Sequence, residues 1–382
     1  MAEITSEWIR GVTESVCAFG SRVYCNTGNV LRVLNVDADY KLNLITEIPE
    51  AGLWQVAGGQ PSQFISANER AIAVAKVNEG LCVVNANTFS FTVVKFGTDA
   101  VHSTHIKGNL LFASVAGSDY GVNGRLVILD ITDPNTPTVI KNTTIPCSSM
   151  VSDGNYLYVI ENVGSTQAYV VIYDIRNLAN IIEIYRKSYG SYLFDIAVFG
   201  NTLYVVEGYK SVNIFDITLR ENTTLTSVYT TTEVYKKVAP LSDNILIVSE
   251  HDTNIKVLDV TNKSTPALVG IYDYRSISGG YPRDISRFDS SHFLLGGHYV
   301  GMDLVSVLNP ANPFQEDHVG AYRINWDVSF NPITKQGFIL DDVGIRALDF
   351  SVPYANDISF HSLSARGRSI EVDGNYAYKP LK

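Results

Sequence analysis

The chain has 382 residues, 46% apolar and only 18% charged, a composition that suits a packed core and excludes a disordered polymer. A formal charge of −10 argues against a nucleic-acid partner, which needs clustered Lys and Arg to displace counterions. No apolar run approaches the roughly 20 residues that cross a bilayer, so no membrane insertion is expected.

The chain opens Met1-Ala-Glu-Ile-Thr-Ser-Glu-Trp-Ile-Arg10, with neither a basic nor an apolar leader segment. No export signal is therefore predicted, and a cytoplasmic protein or one assembled into a particle is expected. The four cysteines are too few for a disulfide framework and are read as free thiols. A hairpin turning at Gly20-Ser21 places Cys17 opposite Tyr24 and puts Cys25 on the other face. Asn142, Asn222 and Asn262 begin glycosylation patterns, which carry little weight without an export signal.

From residue 30 onward one apolar strand ending in an acid or amide recurs. Its copies include Val30-Leu-Arg-Val-Leu-Asn35, Leu81-Cys-Val-Val-Asn85, Leu126-Val-Ile-Leu-Asp130 and Val170-Val-Ile-Tyr-Asp174. The series continues with Val212-Asn-Ile-Phe-Asp216, Ile255-Lys-Val-Leu-Asp259, Leu304-Val-Ser306 and Ile345-Arg-Ala-Leu-Asp349. The terminal positions stand about 42 to 50 residues apart, the span of a four-stranded propeller blade. Upstream of each copy two strands meet at a tight turn such as Lys107-Gly-Asn109 or Asp153-Gly-Asn155, where Gly and Asn tolerate positive φ. Downstream comes a polar turn with Pro, such as Thr132-Asp-Pro134, and then a fourth strand such as Ala267-Leu-Val-Gly-Ile-Tyr272.

Asp195-Ile-Ala-Val-Phe-Gly-Asn-Thr-Leu-Tyr-Val-Val206, taken with Leu126-Val-Ile-Leu-Asp-Ile-Thr-Asp-Pro134, resembles the LVIVD repeat of β-propeller proteins. The resemblance departs at Ala67-Asn-Glu69 and at Ser306. It implies a propeller scaffold, often at cell surfaces, and implies no reaction.

The expected fold is all-β: one propeller of four-stranded antiparallel blades spanning residues 1–382. Eight repeat units over residues 9–364 favour about eight blades, with a partial ninth unit at 365–382 serving closure or an outer contact. The alternative is a seven-bladed ring with a divergent terminal unit standing apart.

Two regions are candidates for function. The first is the rim bearing the loops between strands two and three, where Glu161, Glu207, Glu250, Asp252, Asp341 and Asp342 meet the entry-segment aromatics Trp54 and Trp326. Carboxylates beside aromatics suit cationic groups, protein partners or carbohydrate. The second is the channel mouth, where Ser15, Gln63, Ser103, Ser149, Asp195, Lys237, Asp284 and Asp327 fall in one column of the innermost strands. Asp195, Asp284 and Asp327 there are the candidates for a small ligand or a Ca²⁺-like ion. No other cofactor is expected. The acids that close strand three, by contrast, recur in every unit and read as turn-stabilising groups.

Scattered histidines and the absence of any nucleophile motif point away from an enzyme. The expected function is a non-enzymatic protein-interaction or structural scaffold, associating with a protein partner or with itself in a surface or virion assembly. The alternative is a propeller enzyme, small-ligand binder or metal binder working from the central channel.

Overall fold

The computed structural model describes residues 13–52, 64–117, 124–164, 166–208, 210–230, 235–250, 254–274, 281–297 and 301–320. In the last sixty residues it describes the strands within 327–378, and side chains there only at Gln336 and Phe338. The chain divides into two compact units, Met1–Ala321 and Tyr322–Lys382.

The first unit holds seven four-stranded antiparallel sheets, each a meander of consecutive strands. These are blades 1 to 7, at residues 16–49, 65–94, 100–146, 149–189, 193–230, 235–272 and 282–320. The second and third strands of each blade are sandwiched between neighbouring blades. They therefore read as unbroken apolar runs rather than alternating ones: Leu203-Tyr-Val-Val206 and Leu126-Val-Ile-Leu129 are wholly buried. Each such side chain removed from water stabilises by about 1.5–3 kcal/mol, and no blade could bury both faces alone.

The ring closes with seven blades. Val16, Val23, Cys25 and Leu34 of blade 1 form one core cluster with Leu294, Met302 and Leu304 of blade 7. Seven is the alternative count given by the sequence. The eighth repeat does fold as a four-stranded sheet, within 327–362, and the remnant forms the hairpin Glu371–Asp373 and Tyr376–Tyr378; both belong to the second unit.

Around the outside, residues in or beside the loop before each outer strand hold the preceding blade. Arg22 Nη1 donates to the Ala86 carbonyl at 2.7 Å, Thr92 Oγ1 to Asn135 at 2.9 Å, and Lys141 Nζ to Leu178. Arg220 Nη2 reaches Asp153 Oδ2 at 2.7 Å, and Ser227 Oγ donates to Lys263 at 2.5 Å. Gly270 lies against the Pro310 carbonyl, and Leu42 N donates to Asp317 Oδ2 at 2.7 Å. The last of these bridges blades 7 and 1, so the closing interface is fastened like the other six.

The acids ending strand three form the expected turns. Asp130, Asp216 and Asp259 each accept the backbone N–H two residues on at 2.8 Å, and Asp174 does so at 3.0 Å. Side-chain hydrogen bonds from Thr132, Thr218, Thr261 and Arg176, and after them these backbone bonds, hold the four carboxyls below their ordinary range. All four cysteines are free and buried, with Cys17 opposite Tyr24 and Cys25 opposite Val16. Burial pushes the Cys17, Cys25 and Cys82 thiols up to about 12, which leaves them unreactive.

Candidate functional site

The innermost strands bring one residue from each blade to a common level. In every blade the second-strand residue that pairs four places before the strand-three terminus defines that level. It selects Ser103, Ser149, Asp195, Lys237 and Asp284 as the innermost partners. Blade 1 contributes Ser15, one place before the Val16–Cys25 pair. In blade 2 the residue is Phe64, whose carbonyl accepts the Ala75 N–H at 2.8 Å, and not Gln63, which lies outside the described residues. Counting turn to turn misplaced this blade by one because its first turn lacks the Gly-Asn signature.

Four of these positions are aimed by a bulge. The ladder slips between Val101 and Ser103, Leu193 and Asp195, Tyr235 and Lys237, and Pro282 and Asp284, so His102, Phe194, Lys236 and Arg283 are extra residues. A bulge bends a strand and redirects the side chain after it. Here it turns two carboxylates and an ammonium toward one another.

Lys237 Nζ stands 3.7 Å from Asp195 Oδ1 and 3.5 Å from Asp284 Oδ1. Asp195 Oδ2 accepts the Val238 N–H at 2.9 Å. Asp284 Oδ2 accepts Ser15 Oγ at 2.7 Å and the Val16 N–H at 3.0 Å, and Ser15 Oγ accepts the Ile65 N–H at 3.3 Å. The polar chain therefore runs through blades 5, 6, 7, 1 and 2 and crosses the closure. At this level the residues are 0–8% exposed, so bulk water has little access to this part of the channel.

Burial pushes the Asp195 carboxyl up to about 6, with Lys237 and the Val238 N–H opposing and Asp284 adding to the rise. Asp284 is raised by burial as well. Burial acts to lower the Lys237 ammonium, but the two carboxylates outweigh it and the group is raised. Two carboxylates with one ammonium make a cluster that holds a proton readily near neutral pH. The Lys237 ammonium thus lies within 3.7 Å of both carboxylates that the sequence offered for a Ca²⁺-like ion. Among the described residues, no three Asp, Glu, His or Cys side chains gather as metal ligands. Asp327 begins the strand Asp327–Asn331 of the second unit, and its side chain is outside the described residues.

The described rim acids are engaged within their own blades. Glu161 accepts Tyr173 Oη and Arg186 Nη1, both at 2.8 Å. Glu250 pairs with Lys256 at 2.5 Å, and Glu207 accepts Ser191 Oγ at 3.0 Å and Asn213 Nδ2 at 2.9 Å. They lie in strands rather than loops, Glu161 within Tyr156–Val163 and the other two at strand ends, which carries them inward. Sequence reading missed Arg186 and Lys256 as their partners, since each sits on a different strand from its acid. Three further aromatics stand at or just before innermost strands: Phe194 and Tyr235 are buried and Tyr281 is exposed. Asp252, Asp341, Asp342, Trp54 and Trp326 lie outside the described residues.

The profile of the LVIVD repeat matches residues 106–144 and 240–274, in blades 3 and 6. A search of curated proteins finds no match. Among solved structures, hydrazine synthase of Kuenenia stuttgartiensis is similar at 12% identity and TM-score 0.57, over 81% of this chain and 99% of that one. The β-propeller domain of Cps50 (Swd1) from Myceliophteria thermophila is similar at 13% identity and TM-score 0.56, over 79% and 98%. A functionally unknown protein from Desulfotomaculum acetoxidans gives 13% identity and TM-score 0.52, over 68% and 84%. At such identities the likeness is one of fold, and function must be argued from the residues themselves. Among the described residues no helix is long and apolar enough to cross a membrane.

Proposed function

We propose, from the premise of a seven-bladed propeller that carries LVIVD repeats, that this chain is a protein-interaction or structural scaffold of the kind that builds a surface layer or a virion. The observation that carries the reading is the division of labour between centre and outside. The central polar groups are buried and link neighbouring blades, and the described rim acids are paired with side chains of their own blades. The outermost strands, by contrast, hold aliphatic and aromatic side chains in water. Leu44, Val139, Ile182, Leu225, Leu268 and Phe314, one in each of six blades, are 42–54% exposed. Apolar side chains held in water on a rigid frame favour contact with other proteins. Asp341 and Asp342, which the sequence sets in a loop between strands two and three, are the first candidates for a specific partner. A channel enzyme or ligand binder is less well supported, because Asp195, Lys237 and Asp284 are all enclosed and paired.

The test is the native mass of the untagged chain taken from its source, with identification of whatever accompanies it. The scaffold reading expects a complex with a second protein, and expects Asp341→Lys with Asp342→Lys to weaken that complex by at least about tenfold. A 42.0 kDa chain that carries only a bound small molecule would overturn it.

A further inference from the structure

The outermost strand of a sheet leaves half its backbone N–H and C=O groups without ladder partners, and proteins blunt such edges with bulges, charges or proline. In six blades the blunting is a bulge at one repeated place. The third and fourth strands slip register between Val33 and Leu34, Ile128 and Leu129, and Ile172 and Tyr173. They slip again between Ile214 and Phe215, Val257 and Leu258, and Leu304 and Val305. Each slip stands just before the strand-three terminus and twists the edge away from a flat approach.

Blade 2 has none. Leu81, Cys82, Val83 and Val84 pair in unbroken register with Val94, Val93, Thr92 and Phe91. Thr92 Oγ1 donates to the Asn135 carbonyl of blade 3, which holds the strand against the ring. From Gly80 to Val94 the sequence has no charged residue. The edge is thus free of bulges, neutral and partly exposed along all four residues.

We propose that the strand Phe91–Val94 pairs with the same strand of a second copy of this chain, antiparallel about a two-fold axis. Two chains that each carry a formal charge of −10 repel one another except where their surfaces are neutral, and this edge is such a place. A two-fold through Thr92 sets Phe91 opposite Val93 and Thr92 opposite its own copy, an aromatic against a β-branched residue and a Thr–Thr pair, with no like charges opposed. Lys95, which ends the neutral stretch, comes opposite Phe89 of the other copy. An isologous contact of this kind needs one patch that complements itself, and the pairing above does. The inference rests on the scaffold reading only in taking association to be the work of the protein.

The experiment is sedimentation of the full chain between about 1 and 100 μM. A species of twice 42.0 kDa is expected. Val93→Lys should raise its dissociation constant at least about tenfold, whereas Val228→Lys on the bulged outer strand of blade 5 should leave it unchanged. Should Val93→Lys misfold, hydrogen exchange on the unaltered chain decides instead, since the outward amides of Phe91 and Val93 should gain protection as concentration rises. A single 42.0 kDa species throughout, a dimer indifferent to Val93→Lys, or a different protein's strand on this edge would overturn the proposal. A monomer that still loses a second protein on reversal of Asp341 and Asp342 would sink this inference and leave the scaffold reading standing.

Discussion

Asp195 shows how one residue couples the centre of the ring to pH. Its carboxyl rises from an ordinary 3.8 to about 6 because burial disfavours the anion. Between those values the folded state binds more protons than the unfolded state, so this group's contribution to stability falls as pH rises. The full effect is on the order of 3 kcal/mol. Asp195→Asn keeps an acceptor for the Val238 N–H and removes the titration. The variant should therefore show a flatter change in melting temperature between about pH 4 and about pH 7 than the parent chain. An unchanged slope would mean that another group carries the dependence. Lys237→Met acts in the opposite sense, leaving two buried carboxylates without their ammonium. Urea unfolding should register a loss of about 3–5 kcal/mol near neutral pH and a smaller loss in acid, where the carboxyls are protonated.

At the scale of the element, the outer latches make a prediction about Gly270. A Cβ built there would lie 1.9 Å from the Pro310 carbonyl oxygen, so Gly270→Ala must push blade 7's loop away from blade 6's outer strand. A cost of about 1–3 kcal/mol is expected, with faster proteolysis near Pro310; a variant as stable as the parent would show that the loop yields freely. What the sequence could say about elements was set by how local each signal is. The strand-three acids and the Gly-Asn turns lie within a few residues of the bonds they make, and they were legible. The bulges at Phe194, Lys236 and Arg283 were not, because an extra residue in an apolar strand changes no composition. Nor was the pairing of Glu161 with Arg186, which depends on how two strands of one blade register.

For the whole molecule, the repeat showed that blades exist but could not show where the circle closes. Closure depends on Asp284 reaching Val16, 268 positions away in the chain, and no periodic pattern encodes a contact that occurs once. Among the described residues, the contacts that close the ring fall within 13–320. A chain ending at Ala321 should therefore keep its β-sheet spectrum and a single cooperative melt. Aggregation or a broad, non-cooperative melt of that shortened chain would count against a self-sufficient ring of seven.

Every blade is made from one uninterrupted stretch of sequence, so no sheet borrows a strand from the far end of the chain. The seam between blade 7 and blade 1 therefore resembles the other six in its apolar filling and its outer clasp. A gene rearranged to start residues 13–320 at any other blade, with a linker joining residue 320 to residue 13, should encode the same circle. The point of entry into the ring is thus free to drift over evolutionary time, while the rims and faces that other molecules meet stay where they are.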